Sequence, residues 1–349
     1  MRMNSRQELR RLPFLPLGLG LALLLLLGSL LSLTQGALKL PMLEGLYALS
    51  DDLLGLQWSS LEAYQRAVVV DLRWPRTLLA ILVGALLAQC GAVMQGLFRN
   101  PLADPGLIGV SSGAAAGAVL AIFMLPDASL GWSLPLAAFL GGLTTSLVVY
   151  ALARSPSGTS ILVLLLAGVA ISALFGSLIG LLSYLSDDER LRDMTLWQMG
   201  SLGRATDARL LLLAVVFTGL ALRFRHRAAA LNALLLGESE ARHLGVAVER
   251  LKLEVVILVA LGVGVAVAAS GIIGFVGLIV PHAIRLVCGP DYRSLLPLSA
   301  LGGAVLLLAA DTLSRLAIAP AELPVGIVTA FLGAPFFLFL LLRVRNQSL

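Results

Sequence analysis

Charge is what this 349-residue chain has least of: Asp, Glu, Lys and Arg make up 13% of it, against 58% hydrophobic residues. An ordinary soluble domain carries about 25% charged residues, so that class is excluded. Lysine is scarcer still. Lys39 and Lys252 are the only two, and each is followed by leucine. A phosphate-cradling G-x-x-x-x-G-K-[ST] loop is therefore absent, and the chain cannot hydrolyse ATP by that route. The two cysteines, Cys90 and Cys288, fall inside apolar runs and read as small packing residues, not as a disulfide or a metal pair. Three scattered histidines supply no cluster of ligands at one depth, which argues against a membrane-embedded enzyme; no catalytic residue and no metal site is expected. Acids within the apolar runs are few as well. Asp311, four residues before Arg315, is the main one, whereas an ion-coupled secondary transporter would carry more.

What is present is apolar and long. Windows of about 20 apolar residues, the length of a bilayer-crossing helix, recur down the chain. Ten are read, at 15–33, 78–97, 107–125, 134–152, 161–184, 210–222, 255–269, 276–288, 296–313 and 325–342. They predict an all-α polytopic membrane protein in which residues 1–349 form a single transmembrane domain. The first run is expected not to be a cleaved signal: its apolar core is long, and Thr34, Gln35 and Gly36 make a poor small-residue cleavage site.

Ten crossings place both termini on the same side, and charge chooses which. With the N-terminus inside, the inner segments hold Arg2, Arg6, Arg10, Arg11, Arg99, Arg154, Arg223, Arg225, Arg227, Arg242, Arg250, Lys252, Arg285, Arg293, Arg343 and Arg345, sixteen of the 25 basic residues. The acids lean the other way, at Glu44, Asp51, Asp52, Glu62, Asp187, Asp188 and Glu189. The positive-inside rule therefore predicts cytoplasmic termini. The net charge of +5 reflects this topology, and no nucleic-acid partner is expected.

Residues 225–254 are the one long charged stretch bounded by membrane-length runs on both sides. Leu234, Leu235, Ala241, Leu244 and Val248 recur at helical spacing, broken by Gly237 and Gly245, which predicts two short amphipathic helices with a glycine between them. On the topology above this island lies in the cytoplasm. It suits a partner that drives the membrane domain from outside.

Several stretches then carry a family pattern. They are Leu72-Arg73-Trp74-Pro75-Arg76, Gly91-Ala92-Val93-Met94-Gln95 and Arg99-Asn100-Pro101-Leu102-Ala103-Asp104-Pro105. Leu236-Gly237-Glu238, with Ala241 and Leu244-Gly245-Val246, lies in the island. Gly274-Phe275-Val276-Gly277-Leu278-Ile279-Val280-Pro281-His282, Ala310-Asp311 with Arg315, Glu322-Leu323-Pro324-Val325-Gly326 and Gly333-Ala334-Pro335 complete it. From about residue 70 to 342 the chain resembles the permease subunit of type II ABC importers, the family that imports iron-siderophores, haem and vitamin B12. Trp74 stands where a small aliphatic residue is usual, an unremarkable change at a membrane interface.

The resemblance implies a vitamin B12 permease-like fold and a homodimer in the bacterial inner membrane, with the pathway along the two-fold axis. Two separate ATP-binding-cassette ATPase subunits would sit below it, and a periplasmic binding protein would deliver cargo from above. ATP would then be held by the partner subunits, and the chain itself would keep no permanent cofactor. Thr195-Leu196-Trp197-Gln198-Met199-Gly200-Ser201-Leu202-Gly203, with Gly289-Pro290-Asp291-Tyr292-Arg293, resembles the haem branch most. Haem is therefore the expected cargo and a periplasmic haem-binding protein the expected partner. Other iron chelates and corrinoids are the alternatives.

The same resemblance assigns residues. Arg73, Arg76 and Arg315 correspond to arginines that pair with glutamates of the binding protein, a task suited to the bidentate guanidinium fork. The plainer reading is snorkelling to headgroups. Leu236, Gly237, Glu238, Ala241, Arg242, Leu244 and Gly245 would couple to the ATPase. Asn100, Leu102, Thr159 and Ser160 would form the cytoplasmic gate, against the plainer reading of two ordinary turns. His282 invites a haem-ligand reading, but the Pro-His pair belongs to the whole family pattern, including importers of other cargo. His226 and His243 read as surface residues and Met199 as a gap-filler. Gly113 and Gly117, four apart, read as a close helix contact in lipid, and Gly271, Gly274 and Gly277 as tight packing or a bend.

Overall fold

All ten apolar runs become helices. The computed structural model describes residues 12–125, 131–156 and 158–347, so Arg2, Arg6, Arg10 and Arg11 of the charge count lie outside the described residues. α1 (Phe14–Thr34) leads into a short excursion of α2 (Met42–Leu54) and α3 (Ala63–Ala67). A π-helical segment, Val68–Arg73, then joins α3 to α4 (Trp74–Leu97). A 3-10 turn, Pro105–Ile108, precedes α5 (Val110–Met124) and α6 (Ser133–Ala153). A small antiparallel hairpin of β1 (Arg154–Ser155) and β2 (Gly158–Thr159), with Arg154 opposite Thr159, connects to α7 (Ile161–Leu185). The rest is helical: α8 (Asp188–Gln198), α9 (Asp207–Leu235), α10 (Glu238–His243), α11 (Val248–Ser270), α12 (Val276–Cys288), α13 (Tyr292–Leu316) and α14 (Val325–Gln347).

Six of these are each long and apolar enough to cross a bilayer: α1, the continuous 63–97 helix, α6, α7, α11 and α13. α5, α12 and the first part of α14 are shorter apolar helices. α9 completes the ten, apolar in its first half and charged in its second.

α4 is the hub of the bundle, packed against α13, α9, α12 and α11, while α5, α6 and α7 form a neighbouring layer. Lipid gives helices no hydrophobic reason to associate, so close backbone approach has to supply the contact. Gly84 of α4 and Gly303 of α13 meet so closely that a Cβ on either would sit 2.3 or 2.2 Å from the other's carbonyl oxygen. Gly113 and Gly117 do the same for α5 against α6, where added Cβ atoms would lie 2.4 and 2.2 Å from the carbonyl oxygens of Gly141 and Ala137. Cys90 is buried and Cys288 half-buried, both as free thiols.

The π segment has a local cause. Pro75 has no N–H to give the carbonyl of Asp71, and its ring crowds that position, so the turn ahead of α4 widens instead of breaking. Trp74 and Val69 then pack with Leu33, Leu40, Ala48 and Leu49 in a small second core under α2.

The polar island differs from expectation. It is not two free helices, because its first part continues α9 without a break as far as Leu235. Ala228, Ala229 and Ala230 are strong helix formers, and Phe224, Ala228, Leu231 and Leu234 prolong the buried seam beyond the apolar run. Gly237 (φ +124°) ends that extension, α10 follows, and Gly245 (φ +84°) turns the chain back into α11.

Candidate functional site

Polar chemistry gathers at the two ends of the bundle. At one end the π turn and the last turn of α13 bring three arginines together. Arg76 donates from Nε to Asp311 Oδ1 at 2.9 Å and from Nη1 to Glu322 Oε2 at 2.7 Å. Arg315 donates to the other Asp311 oxygen at 3.2 Å and to Ser32 Oγ, Ser32 O and Gln35 O at 2.8, 3.1 and 3.0 Å. Arg73 donates to Leu33 O at 2.8 Å and to Leu38 O. Asp311 is fully buried, and two guanidinium groups share its carboxylate.

Two of the arginines expected at the docking surface are turned inward in the single chain. Arg73 and Arg315 are 6% and 5% exposed, and their donors are spent on Asp311, on the last turn of α1 and on its link to α2. Arg76 lies nearer the surface, with its side chain 13% exposed and its Glu322 partner 50% exposed. Beside it opens a cavity of about 230 Å³ lined by Arg76, Arg204, Arg209, Ser201, Trp197 and Glu322. Arg209 donates to the Arg204 carbonyl at 2.8 Å, which holds both cations at the cavity wall. Sequence reading missed Arg204 and Arg209. The available signal was two arginines flanking Thr206, which caps α9 by accepting from Arg209 N–H.

The other end holds the island. Leu236 and Leu244, 67% and 63% exposed, stand on either side of α10, while Ala241 between them is fully buried. Arg242 is exposed and pairs with Glu238 at 3.4 Å and Glu249 at 3.6 Å. Glu254 takes Arg227 at 2.7 Å and also Arg223. Lys252 is 2% exposed and gives its ammonium to three acceptors: the Glu238 carboxylate at 2.8 Å, Glu249 Oε1 at 3.1 Å and the Thr159 carbonyl at 3.0 Å. An isolated buried ammonium is strongly disfavoured; three charged or dipolar partners make this one tenable. Leu12 N–H bonds the Val287 carbonyl at 3.0 Å, and Asn232 near the end of α9 donates to Asp291 beside that turn at 2.7 Å, so the chain's first described residues lie at the island end.

Of the two expected gate segments, the one at Thr159 joins this network and the one at Asn100 lies beside it. Thr159 is 6% exposed; its N–H donates to Glu249 Oε2 at 2.8 Å and its hydroxyl meets the Tyr150 hydroxyl at 3.2 Å. Ser160 caps α7 by accepting from Val163 N–H at 3.4 Å. Asn100 is exposed and closes an Asx turn, accepting from Leu102 N–H at 2.9 Å, with Leu102 half-buried. Arg99, in the left-handed region at φ +48°, brings Nη1 to within 3.7 Å of where a Cβ on Gly237 would lie. His282 bonds the Pro101 backbone from α12, and its Nδ1 is buried without a partner. His226 and His243 are exposed, as expected.

The bundle thus joins helices of membrane length to an exposed apolar pair at one end and a cationic cavity at the other, and kinship gives its class: the permease subunit of an ABC importer. The FecCD transport family matches residues 24–343, and the chain belongs to that family. It is 46% identical over 348 residues to the hemin transport system permease protein HmuU of Yersinia pestis, covering 99% of both chains. It is 43% identical over 326 residues to the vitamin B12 import system permease protein BtuC of Salmonella typhi, covering 93% and 94%. A solved chain described as an inward-facing metal-chelate type ABC transporter superposes with a TM-score of 0.81 at 36% identity, covering 94% of this chain and 99% of that one.

Proposed function

We propose that the chain is the membrane-spanning subunit of an ATP-driven haem importer, working as a homodimer in a bacterial inner membrane. The observation that carries the cargo is the full-length 46% identity to a hemin permease. In this reading the island end faces the cytoplasm and the arginine end the periplasm, in keeping with the distribution of basic residues. α7, whose Leu162, Leu166, Val169, Leu174 and Leu181 are exposed in the single chain, supplies apolar surface for the second copy and the pathway wall.

Coupling starts at Leu236 and Leu244, an apolar pair held out by two glycine turns for an ATPase subunit to grip. A push on α10 acts on Glu238, Glu238 acts on Lys252, and Lys252 holds the Thr159 carbonyl of one gate segment. The same push moves Gly237 against Arg99, beside the Asn100 turn of the other. One partner therefore reaches the Thr159 segment through contiguous polar contacts and lies beside the Asn100 segment, and its ATP-bound and free states bias the pathway by differential affinity.

At the periplasmic end, acidic residues of a binding protein dock at Arg76, Arg204 and Arg209. Arg73 and Arg315 act one step back, holding the α1–α2 connection that frames that surface. The test of cargo uses the permease reconstituted with its ATPase subunits and binding protein. Haem is expected to stimulate ATP hydrolysis, while a ferric siderophore and cobalamin do not. Stimulation by cobalamin with none by haem would move the chain to corrinoid import.

A further inference from the structure

A second cavity, of about 350 Å³, runs along the lateral face of the bundle between α1, α4, α9 and α13. Its wall is apolar: Leu25, Ile81, Ala85, Phe217, Ala300 and Ala304. Ala85, Ala300 and Ala304 cluster at its floor, and their short side chains leave the space open. Along α13 the lining extends from Arg293 to Ala304, eleven residue steps or about 16 Å at the helical rise. That is roughly half of a ~30 Å hydrocarbon core, the depth of one leaflet.

The mouth is cationic. Arg225 and Arg293 line it from α9 and α13, and both are exposed. Their neighbours Arg223 and Arg227 are both occupied by Glu254, but Arg225 forms no ion pair among the described residues. Arg293 feels Asp291, whose Oδ1 already accepts from Arg293 N–H and from Asn232. Deeper in, Gln89 shares one face of α4 with Ile81 and Ala85, four residues apart in turn. It is 3% exposed, lines the cavity, and its Oε1 has no hydrogen-bond partner. A buried carboxamide left unsatisfied in an apolar groove points to a polar group of a ligand, and an amide can present either its donor or its acceptor there.

We propose that this groove binds an anionic phospholipid, with one acyl chain lying along Ala85, Ala300 and Ala304, the ester region at Gln89 and the phosphate held by Arg225 and Arg293. Basic residues at a membrane surface favour acidic lipids through charge, and the apolar slot adds the chain contact that free phosphate lacks. The site does not depend on which cargo the pathway carries.

The test titrates the purified full-length chain in detergent with palmitoyl-oleoyl phosphatidylglycerol and with phosphatidylcholine of the same chains, counting bound lipid by native mass spectrometry. The expected result is a preference of about ten-fold for the anionic lipid. Arg225→Gln with Arg293→Gln should abolish that preference, while Gln89→Leu should weaken both lipids alike. Inorganic phosphate should not compete. Equal binding of the two lipids by the native chain, an unchanged preference in the double variant, or competition by phosphate would each overturn the proposal. A second measurement leaves the arginines intact. Tryptophan introduced as Phe217→Trp should be quenched more by brominated phosphatidylglycerol than by its phosphatidylcholine counterpart, and equal quenching would contradict the site.

Discussion

Arg73 and Arg315 donate to carbonyls of the last turn of α1 and of its link to α2, 35 to 40 and 280 to 283 residues away in sequence. Spacing along the chain marks them as unusual cations near a membrane surface but cannot reveal such distant partners; their expected docking role came from the family resemblance. Removing Arg73 as Arg73→Ala orphans the Leu33 and Leu38 carbonyls, each a loss of about 1–3 kcal/mol when buried. The thermal midpoint of the purified chain should fall accordingly. Arg204→Glu with Arg209→Glu should leave that midpoint nearly unchanged but weaken binding-protein association, the more so at low salt. Equal effects of both variants on association and melting would remove the distinction. Lys252 was legible only as a rare lysine; its Thr159 acceptor lies 93 residues away. Lys252→Met should weaken coupling by about 0.5–2 kcal/mol, or roughly 2- to 30-fold in uptake per ATP hydrolysed, with basal hydrolysis preserved. Lys252→Arg, which keeps the charge, should recover part of it. Unaltered uptake per ATP in Lys252→Met would break the proposed route.

Helices were legible as elements because apolar residues gather in separate runs between polar turns, but their ends were not. α9 outruns its apolar run by thirteen residues, from 222 to 235, since alanines and a continued buried seam carry it on until Gly237. The π turn before α4 was likewise invisible as a hydropathy feature, although Pro75 announces a disturbance there. α13 begins where Asp291 caps it. The Arg293 N–H and then the Asn232 amide hold the Asp291 carboxyl below its ordinary 3.8. A depressed acid stabilises the fold in its ionised form, so this contribution is complete above 3.8 and is lost as pH falls through the folded value. Asp291→Ala should therefore cost about 1 kcal/mol at neutral pH. The gap between variant and native chain should close as the pH of a melting series drops below that of a free aspartate. A gap that persists in acid would mean the cap does not depend on the charge.

At the scale of the whole molecule, composition alone fixes a many-helix membrane protein, while the assembly comes from resemblance and kinship. In the single chain one side of α7 packs on α5 and α6 while Leu162, Leu166, Val169, Leu174 and Leu181 stay exposed, a distinction that hydropathy cannot report. Orientation is open to direct measurement. Single cysteines at Ser239 on α10 and at Gln57 in the α2–α3 connection, in a background with Cys90 and Cys288 replaced, should label oppositely with an impermeant thiol reagent in intact cells. Equal labelling would contradict the assigned topology. The central claim is that an external ATPase, gripping the island, drives haem through this chain. It is tested most directly by haem uptake into proteoliposomes holding the permease, with its ATPase subunits and ATP on the island face and the binding protein on the other. The account predicts accumulation that requires ATP and collapses in a Glu238→Lys, Gly245→Trp variant; accumulation under an ion gradient without ATP, or undiminished in that variant, would contradict it.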